Sequence, residues 1–341
     1  MIKYFIIYLL ITLYAMPLTN SNSTNIKITK KTNKIIKKVL LKTRYEQFLK
    51  YGTFSQKIEV IKNIKKFKKL SSLIQFTKKD FLKNEIYGIN VLDYIENLKE
   101  EKYYNFIDII VENKSNIIEK KYFKLLTKSI EMINNLKLEK YKGFILGLYN
   151  IKNNNLKIQY VKTIGIFKIK ESKNKLKELY KTSDNVYVKS GIIKAIGKFQ
   201  QDEDIDFFER VIFSDLSSPI NQWVSVVALK NFINNKKAEN LLVKCLSMNN
   251  IEIKSRALYA LSFFNNTKIY NLLLEYSQND SPRLRYFAIK GLENYNDDKV
   301  NNILKFKYEN DSEIKIKNLA KKILIKRKII KEEKKKDGTK D

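Results

Sequence analysis

A block of ten residues recurs six times in the second half of this chain, at 156–165, 188–197, 224–233, 253–262, 284–293 and 316–325. The block starts are 32, 36, 29, 31 and 32 residues apart. A unit of that length cannot bury a core alone, so it must stack on copies of itself; a period in this range marks a solenoid. Each block opens on an apolar residue. Four positions later stand Tyr160, Ile192, Ala228, Ala257, Ala288 and Ala320, of which the alanines allow close helix packing.

Turn and cap residues precede the blocks: Asn153–Asn155, Ser183-Asp184, Ser217-Ser218-Pro219, Asn249-Asn250, Asp280-Ser281-Pro282 and Asp311-Ser312. Ser, Asp and Asn accept the free N–H groups of a helix start, and Pro is tolerated at the first helical position. Between blocks runs a second helix-periodic apolar set, such as Leu176-Leu179-Tyr180, Phe207-Phe208-Val211 and Leu241-Leu242-Leu246. Each repeat is therefore a first helix, a turn and a second helix that carries the block. No strand alternation is sustained anywhere, and Gly (9) and Pro (3) are too scarce for an all-β fold with many tight turns.

The blocks follow a pattern D-x-x-x-V-K/R-x-x-A-x-x-A-L/I-G. Asp184, Val188, Lys189, Ala195, Ile196 and Gly197 meet it best, followed by Asp280, Leu284, Arg285, Ala288 and Leu292. The pattern resembles HEAT and short HEAT-like repeats over about residues 150–325. The resemblance implies an all-α, right-handed α-solenoid whose block helices line the concave face, and proteins of this kind that serve mostly as scaffolds. It also implies that the cation one residue after the block opening bonds loop carboxylates of a neighbouring repeat. The third block departs, with Ser225 in the cation position and Ile220 in the Asp position, and is expected to keep its packing without that pair.

Chemistry is limited by what is missing. There is no His, which excludes Ser-His-Asp and Cys-His nucleophile systems and His-ligated zinc. The one cysteine, Cys245, excludes a disulfide framework; its apolar neighbours mark it as an inert buried thiol. No paired carboxylates, metal cluster, cofactor motif or nucleotide loop is legible. The expectation is a non-enzyme with no cofactor and no small-molecule substrate.

Upstream of the repeats, Tyr4 to Leu18 carries no charge and follows Lys3. At about 15 residues it is short for a membrane span and suits a secretory signal. Residues 1–21 therefore read as a leader, with an uncleaved membrane anchor or an ordinary first helix as alternatives. Residues 22–80 read as two basic amphipathic helices, with apolar positions at Ile35, Ile36, Val39, Leu40, then Ile58, Ile61, Ile64, Phe67, Leu70 and Ile74. From 27 to 79 there are 17 Lys/Arg against two acids, a surface suited to anionic lipid or simply a cap on the core behind it. Residues 81–150 read as helical, with diverged repeats starting near Phe123. Residues 326–341 read as a charged, disordered tail.

The net charge of +31 suggests an anionic partner, although only six cations are Arg, the residue suited to bidentate phosphate contacts. Two columns stand out. One residue after each block opening come Lys157, Lys189, Ser225, Lys254, Arg285 and Lys317; six residues after it come Lys162, Lys194, Lys230, Tyr259, Lys290 and Lys322. Ten of the twelve are basic in a chain with 67 Lys+Arg in 341, so a basic concave ridge is expected, unless the excess is a compositional bias of exposed positions. Trp223 is either a binding hot spot or inter-repeat packing, and paired aromatics such as Phe207-Phe208 and Phe263-Phe264 read as core. The functional expectation is an exported, periplasmic or envelope-associated scaffold that holds an acidic protein partner, as in a secretion, wall or flagellar-motor assembly. The alternatives are a cytoplasmic nucleic-acid binder, the use that HEAT-like DNA glycosylases make of a basic groove, and an anionic membrane-surface protein.

Overall fold

The computed structural model describes residues 30–65 and 68–331, with the side chains of 30–38 and 68–69 outside that description. The expected leader and the tail from 332 onward lie outside it as well. Among the described residues there are 18 α-helices and no strand. They fall into two compact units, one up to Lys79 and one from Asp80.

In the first unit, α1 (Lys30–Tyr51) is followed by α2 (Phe54–Ile64) and a 3₁₀ segment (Lys68–Asp80). Thr53 opens α2 with a capping box: its hydroxyl accepts from the Gln56 amide at 3.3 Å, and the Gln56 side chain accepts from the Thr53 amide at 2.9 Å. The apolar run from Ile58 to Ile74 is not one helix. Helix α2 ends at Ile64, and Lys65 closes it with its amide donating to the Ile61 carbonyl at 3.1 Å. Val60, Ile61 and Ile64 are buried before the break, and Leu70, Leu73 and Ile74 after it. Val39 and Leu40, two apolar positions of the first amphipathic helix, are exposed, while Leu49 is fully buried.

The second unit is an α-solenoid of helix pairs. Its first three helical layers are α3 (Glu85–Leu98) with α4 (Asn105–Glu112) and α5 (Lys114–Glu119), α6 (Phe123–Asn135) with α7 (Lys142–Leu146), and α8 (Asn154–Ile166) with α9 (Lys173–Thr182). The next are α10 (Val186–Phe199) with α11 (Ile205–Phe213), α12 (Pro219–Ala228) with α13 (Lys236–Leu246), and α14 (Ile251–Leu261) with α15 (Thr267–Tyr276). The last are α16 (Pro282–Leu292), α17 (Asp298–Asn310) and α18 (Ile314–Lys326). The even helices from α6 to α18, with α3 before them, pack each on the next in an unbroken row. The intervening helices touch one another far less, so the continuous row is the inner, concave side of the stack. The row starts at α3, one repeat earlier than Phe123.

Helix starts follow the cap residues closely. Asn153, Ser218 and Asn250 cap α8, α12 and α14 as the sequence suggests, whereas α10 is capped by Asn185 rather than Ser183 or Asp184. Helix ends are less expected. With glycine scarce, the turn out of an inner helix uses left-handed residues of other types: Lys99 (φ 55), Lys137 (φ 53), Lys168 (φ 48), Gln200 (φ 57) and Asn265 (φ 41). The row is tight because small residues face each other across it. Ala257, Ala288 and Ala320 are fully buried, and a Cβ added to Gly165 would stand 2.7 Å from the Ala195 Cα.

Candidate partner-binding surface

An inner helix is covered by its two row neighbours and its outer partner, leaving one narrow stripe to solvent. In α10, Val188, Ile192, Ile193, Ala195, Ile196 and Phe199 are buried, while Tyr187, Lys194 and Lys198 are exposed. These stripe positions lie one before the block opening and six and ten after it, a single line along a 3.6-residue helix. The sixth position is therefore the column Lys162, Lys194, Lys230, Tyr259, Lys290 and Lys322. Lys162, Lys194 and Lys322 are exposed, and Lys230 and Lys290 are half-buried.

The other column does not share this face. Five residues further round a helix is a turn of about 140°. Lys189 stacks over the Tyr180 ring of outer α9, 5.2 Å from its centroid. Lys317 donates to the Glu309 carbonyl of α17 at 2.8 Å. Arg285 is 9% exposed and locked into the loops: Nε and Nη2 reach the two Asp311 oxygens at 3.0 and 2.9 Å, and Nη1 donates to the Asn279 and Asp280 carbonyls. Lys157 and Lys254 are half-buried in the same column. The single ridge expected from ten cations is thus two separate faces, and Arg285 belongs to the fold. Arg285–Asp311 is the loop pair that the repeat pattern implies. In the third repeat Ser225 is buried without an ion pair, and Ser190 Oγ donates instead to Asn221 Oδ1 at 2.8 Å.

The centre of the stripe is aromatic. Tyr259 has the Lys230 ammonium 5.3 Å and the Lys290 ammonium 5.0 Å from its ring centroid, and Lys230 lies 5.1 Å from the Phe263 centroid. Phe263 is edge-on to Tyr259 and is 37% exposed, so it is not core; Phe207, Phe208 and Phe264 are. Trp223 stands on the stripe half-buried, with the Arg256 guanidinium 5.2 Å from its ring and its indole N–H unpartnered. Glu252 is held by Arg256 at 3.4 Å and by Arg283. Arg256, Arg283 and Phe287 were not legible as site residues from the lysine columns. Their signal is helical spacing: Arg283 lies one before its block opening, and Arg256 and Phe287 lie three after theirs, one turn before the sixth position and so on the same line.

Pairing separates the two sides of the stack. On the outer side, cations meet acids of an adjacent repeat: Lys173 with Glu203, Lys177 with Asp204 at 2.7 Å, Lys237 with Asp206, Lys244 with Glu209 at 3.5 Å. On the inner stripe, Lys162, Lys194, Lys230, Lys290 and Lys322 have no carboxylate within ion-pair distance among the described residues; Lys326, at the far end, is paired with Glu293. Partial desolvation, and after it the charge of Lys162, lower the pKa of the stripe's Lys198 ammonium. A basic outer cleft beside Tyr180 and Phe207 differs, since its Lys177 and Lys181 are bound to Asp204 and Glu178. Among the described residues, no group of His, Cys, Asp and Glu is placed to hold a metal, and no helix is long and apolar enough to cross a membrane.

No family model matches the sequence, and no curated protein does. Solved structures with a similar course include human deoxyhypusine hydroxylase, at 9% identity over 87% of this chain and 100% of that one, with a TM-score of 0.31. Kap121p aligns at 12% identity over 93% of this chain with a TM-score of 0.45, and this chain spans 40% of its length. An engineered protein aligns at 13% identity over 87% of this chain and 90% of its own, with a TM-score of 0.42. Likenesses this distant do not bear on what the chain binds. The fold follows from the helix packing described above.

Proposed function

We propose that this chain is a non-enzymatic, HEAT-like scaffold whose inner stripe holds an acidic protein partner. The observation that carries this reading is the contrast in pairing: outer cations are matched across repeats, and the inner lysines at Lys162, Lys194, Lys230, Lys290 and Lys322 are not. Unmatched like charges on a concave surface repel one another, and an acidic partner relieves that repulsion while speeding encounter. Trp223 and Tyr259 sit among these cations, and such aromatics commonly carry binding energy at interfaces. The double variant Lys194→Glu with Lys290→Glu, compared with wild type in capture from native extract, should lose the partner. Unchanged capture refutes the reading.

The finer proposal is that the scaffold works outside the cytoplasm, in an envelope assembly of the secretion, wall or flagellar-motor kind. It rests on the leader-like residues 1–21 alone. Mass spectrometry of the native N-terminus tests it: a start near Asn22 or Thr24 in the envelope fraction is expected, and an intact Met1 in the soluble fraction overturns it. A second reading, docking of α1 on an anionic membrane, is favoured by the exposure of Val39 and Leu40 on a basic helix. Sedimentation with anionic but not neutral vesicles, lost on removal of residues 27–79, is its expected result.

A further inference from the structure

We infer that Lys230, Tyr259 and Lys290 form one anchor site for a carboxylate side chain of an acidic peptide segment, an inference that rests on the concave-surface reading above. Lys230 and Lys290 are 60 residues apart, one in the 3₁₀ turn (Leu229–Asn231) that directly follows α12 and the other on α16, with α14 between these two helices. Two helix-to-helix steps span about 16–20 Å at the backbone. Yet both ammoniums flank one ring of α14, at 5.3 and 5.0 Å from its centroid, so they cannot be further apart than those two distances laid end to end. The long lysine side chains reach inward from either side of α14 and bring their ammoniums to the same ring.

A ring face attracts an ammonium but has no net charge, so neither lysine is neutralised by it. Phe263 adds a second ring against Lys230, which holds that ammonium in place. Two positioned cations with no carboxylate within ion-pair distance, converging on a phenol that can donate a third hydrogen bond, match the acceptor capacity of one carboxylate. Phe263 and Phe287 beside the ring offer apolar contact to the residues that flank the acid.

A peptide fits this site better than a nucleic-acid backbone. The two guanidiniums on the same helices as Tyr259 and Lys290, Arg256 and Arg283, are both charge-paired with Glu252, so neither offers an unmatched cation to a phosphate. Glu252 also places a carboxylate on the course a continuous chain of phosphates would follow. A peptide passes it with an uncharged residue.

The test uses the full chain and a fluorescein-labelled twelve-residue peptide of repeating Glu-Ser-Leu, read by anisotropy at about 0.15 M salt and by the emission of Trp223, the single tryptophan, on the same stripe. Lys230→Gln with Lys290→Gln should weaken peptide binding about tenfold or more, and Tyr259→Phe, which keeps the ring and removes the hydroxyl, severalfold. Lys162→Gln with Lys322→Gln removes the same charge from the ends of the stripe and should weaken it far less. Equal losses in the two double variants overturn the anchor and leave the general acidic-partner reading standing. No binding of the peptide to wild type, or tighter binding of a single-stranded oligonucleotide of equal charge, overturns both.

Discussion

Replacing Asp311 by Asn removes one charge from the last hairpin of the solenoid while keeping the shape of the side chain. The Asp311 side chain is 1% exposed. It accepts two bonds from Arg285, one from the Glu313 amide at 3.0 Å, and pairs with Lys307 at 3.2 Å. Burial alone pushes its pKa up, but the Arg285 guanidinium, the Glu313 amide and Lys307 outweigh burial and hold the carboxyl at about 2, against an ordinary 3.8. One pKa unit is about 1.4 kcal/mol, so the ionised form contributes on the order of 2–3 kcal/mol to the folded state. The folded value is depressed, so this contribution is complete above the unfolded pKa and fades as pH falls from about 4 toward 2. Relative to wild type, Asp311→Asn should therefore cost about 2–3 kcal/mol at pH 7, plus a pH-independent part from the donor that its amide turns toward Arg285. The pH-dependent part should shrink to about half at pH 3. Urea unfolding followed by far-UV circular dichroism at pH 7, 5 and 3 measures the difference. Hydrogen exchange in α17 and α18 shows whether the loss is local, as expected for a stack in which repeats open one by one. A wild-type-to-variant difference that stays constant from pH 7 to pH 3 refutes the reasoning.

Three further substitutions or labels probe the frame. Gly165→Ala puts a methyl group 2.7 and 2.9 Å from the Cα and Cβ of Ala195, atoms on a packed helix that cannot step aside; a loss of about 1–3 kcal/mol and a lower Tm are expected, and an unchanged Tm contradicts the close approach. Lys137→Gly relieves a left-handed φ of 53° at an exposed residue and should stabilise by roughly 0.5–1 kcal/mol in urea titration, whereas a loss of stability shows that the turn does not demand it. Cys245 is fully buried and its thiol is pushed up to about 12 by that burial, so a thiol reagent at pH 8 should label it only after denaturation; fast labelling of the folded protein contradicts the placement of α13.

What the sequence reveals of this molecule and what it hides follow from the kind of distance each feature depends on. The helix pairs are legible from Leu156 onward because inner helices touch at small residues, Ala228, Ala257, Ala288 and Ala320, and contacts recur near one period: Ser190 with Asn221 at 31 residues, Asn294 with Ser262 at 32. Before that the same packing persists at mixed spacings, with Lys128 meeting Glu96 and Lys140 meeting Asp108 across 32 residues. Other contacts depart from the period, Lys124 meeting Glu85 across 39 residues and Tyr141 meeting Tyr104 across 37, and the outer layer there is broken into the short helices α4, α5 and α7, so the sequence reading starts the repeats one too late. Surface chemistry depends on angle, which spacing along the chain does not reveal by itself. Lys189 and Lys194 recur with equal regularity yet lie on different faces, one against Tyr180 and the other in the open stripe. Whether a lysine is spent depends on an acid about a repeat away, as Lys173 with Glu203 and Lys237 with Asp206 are. In a chain with 67 cations, abundance therefore marks nothing by itself. The inner stripe is distinguished because its lysines converge around Tyr259 and lack the acids that their outer counterparts have, and a surface built that way is completed by a partner that brings them.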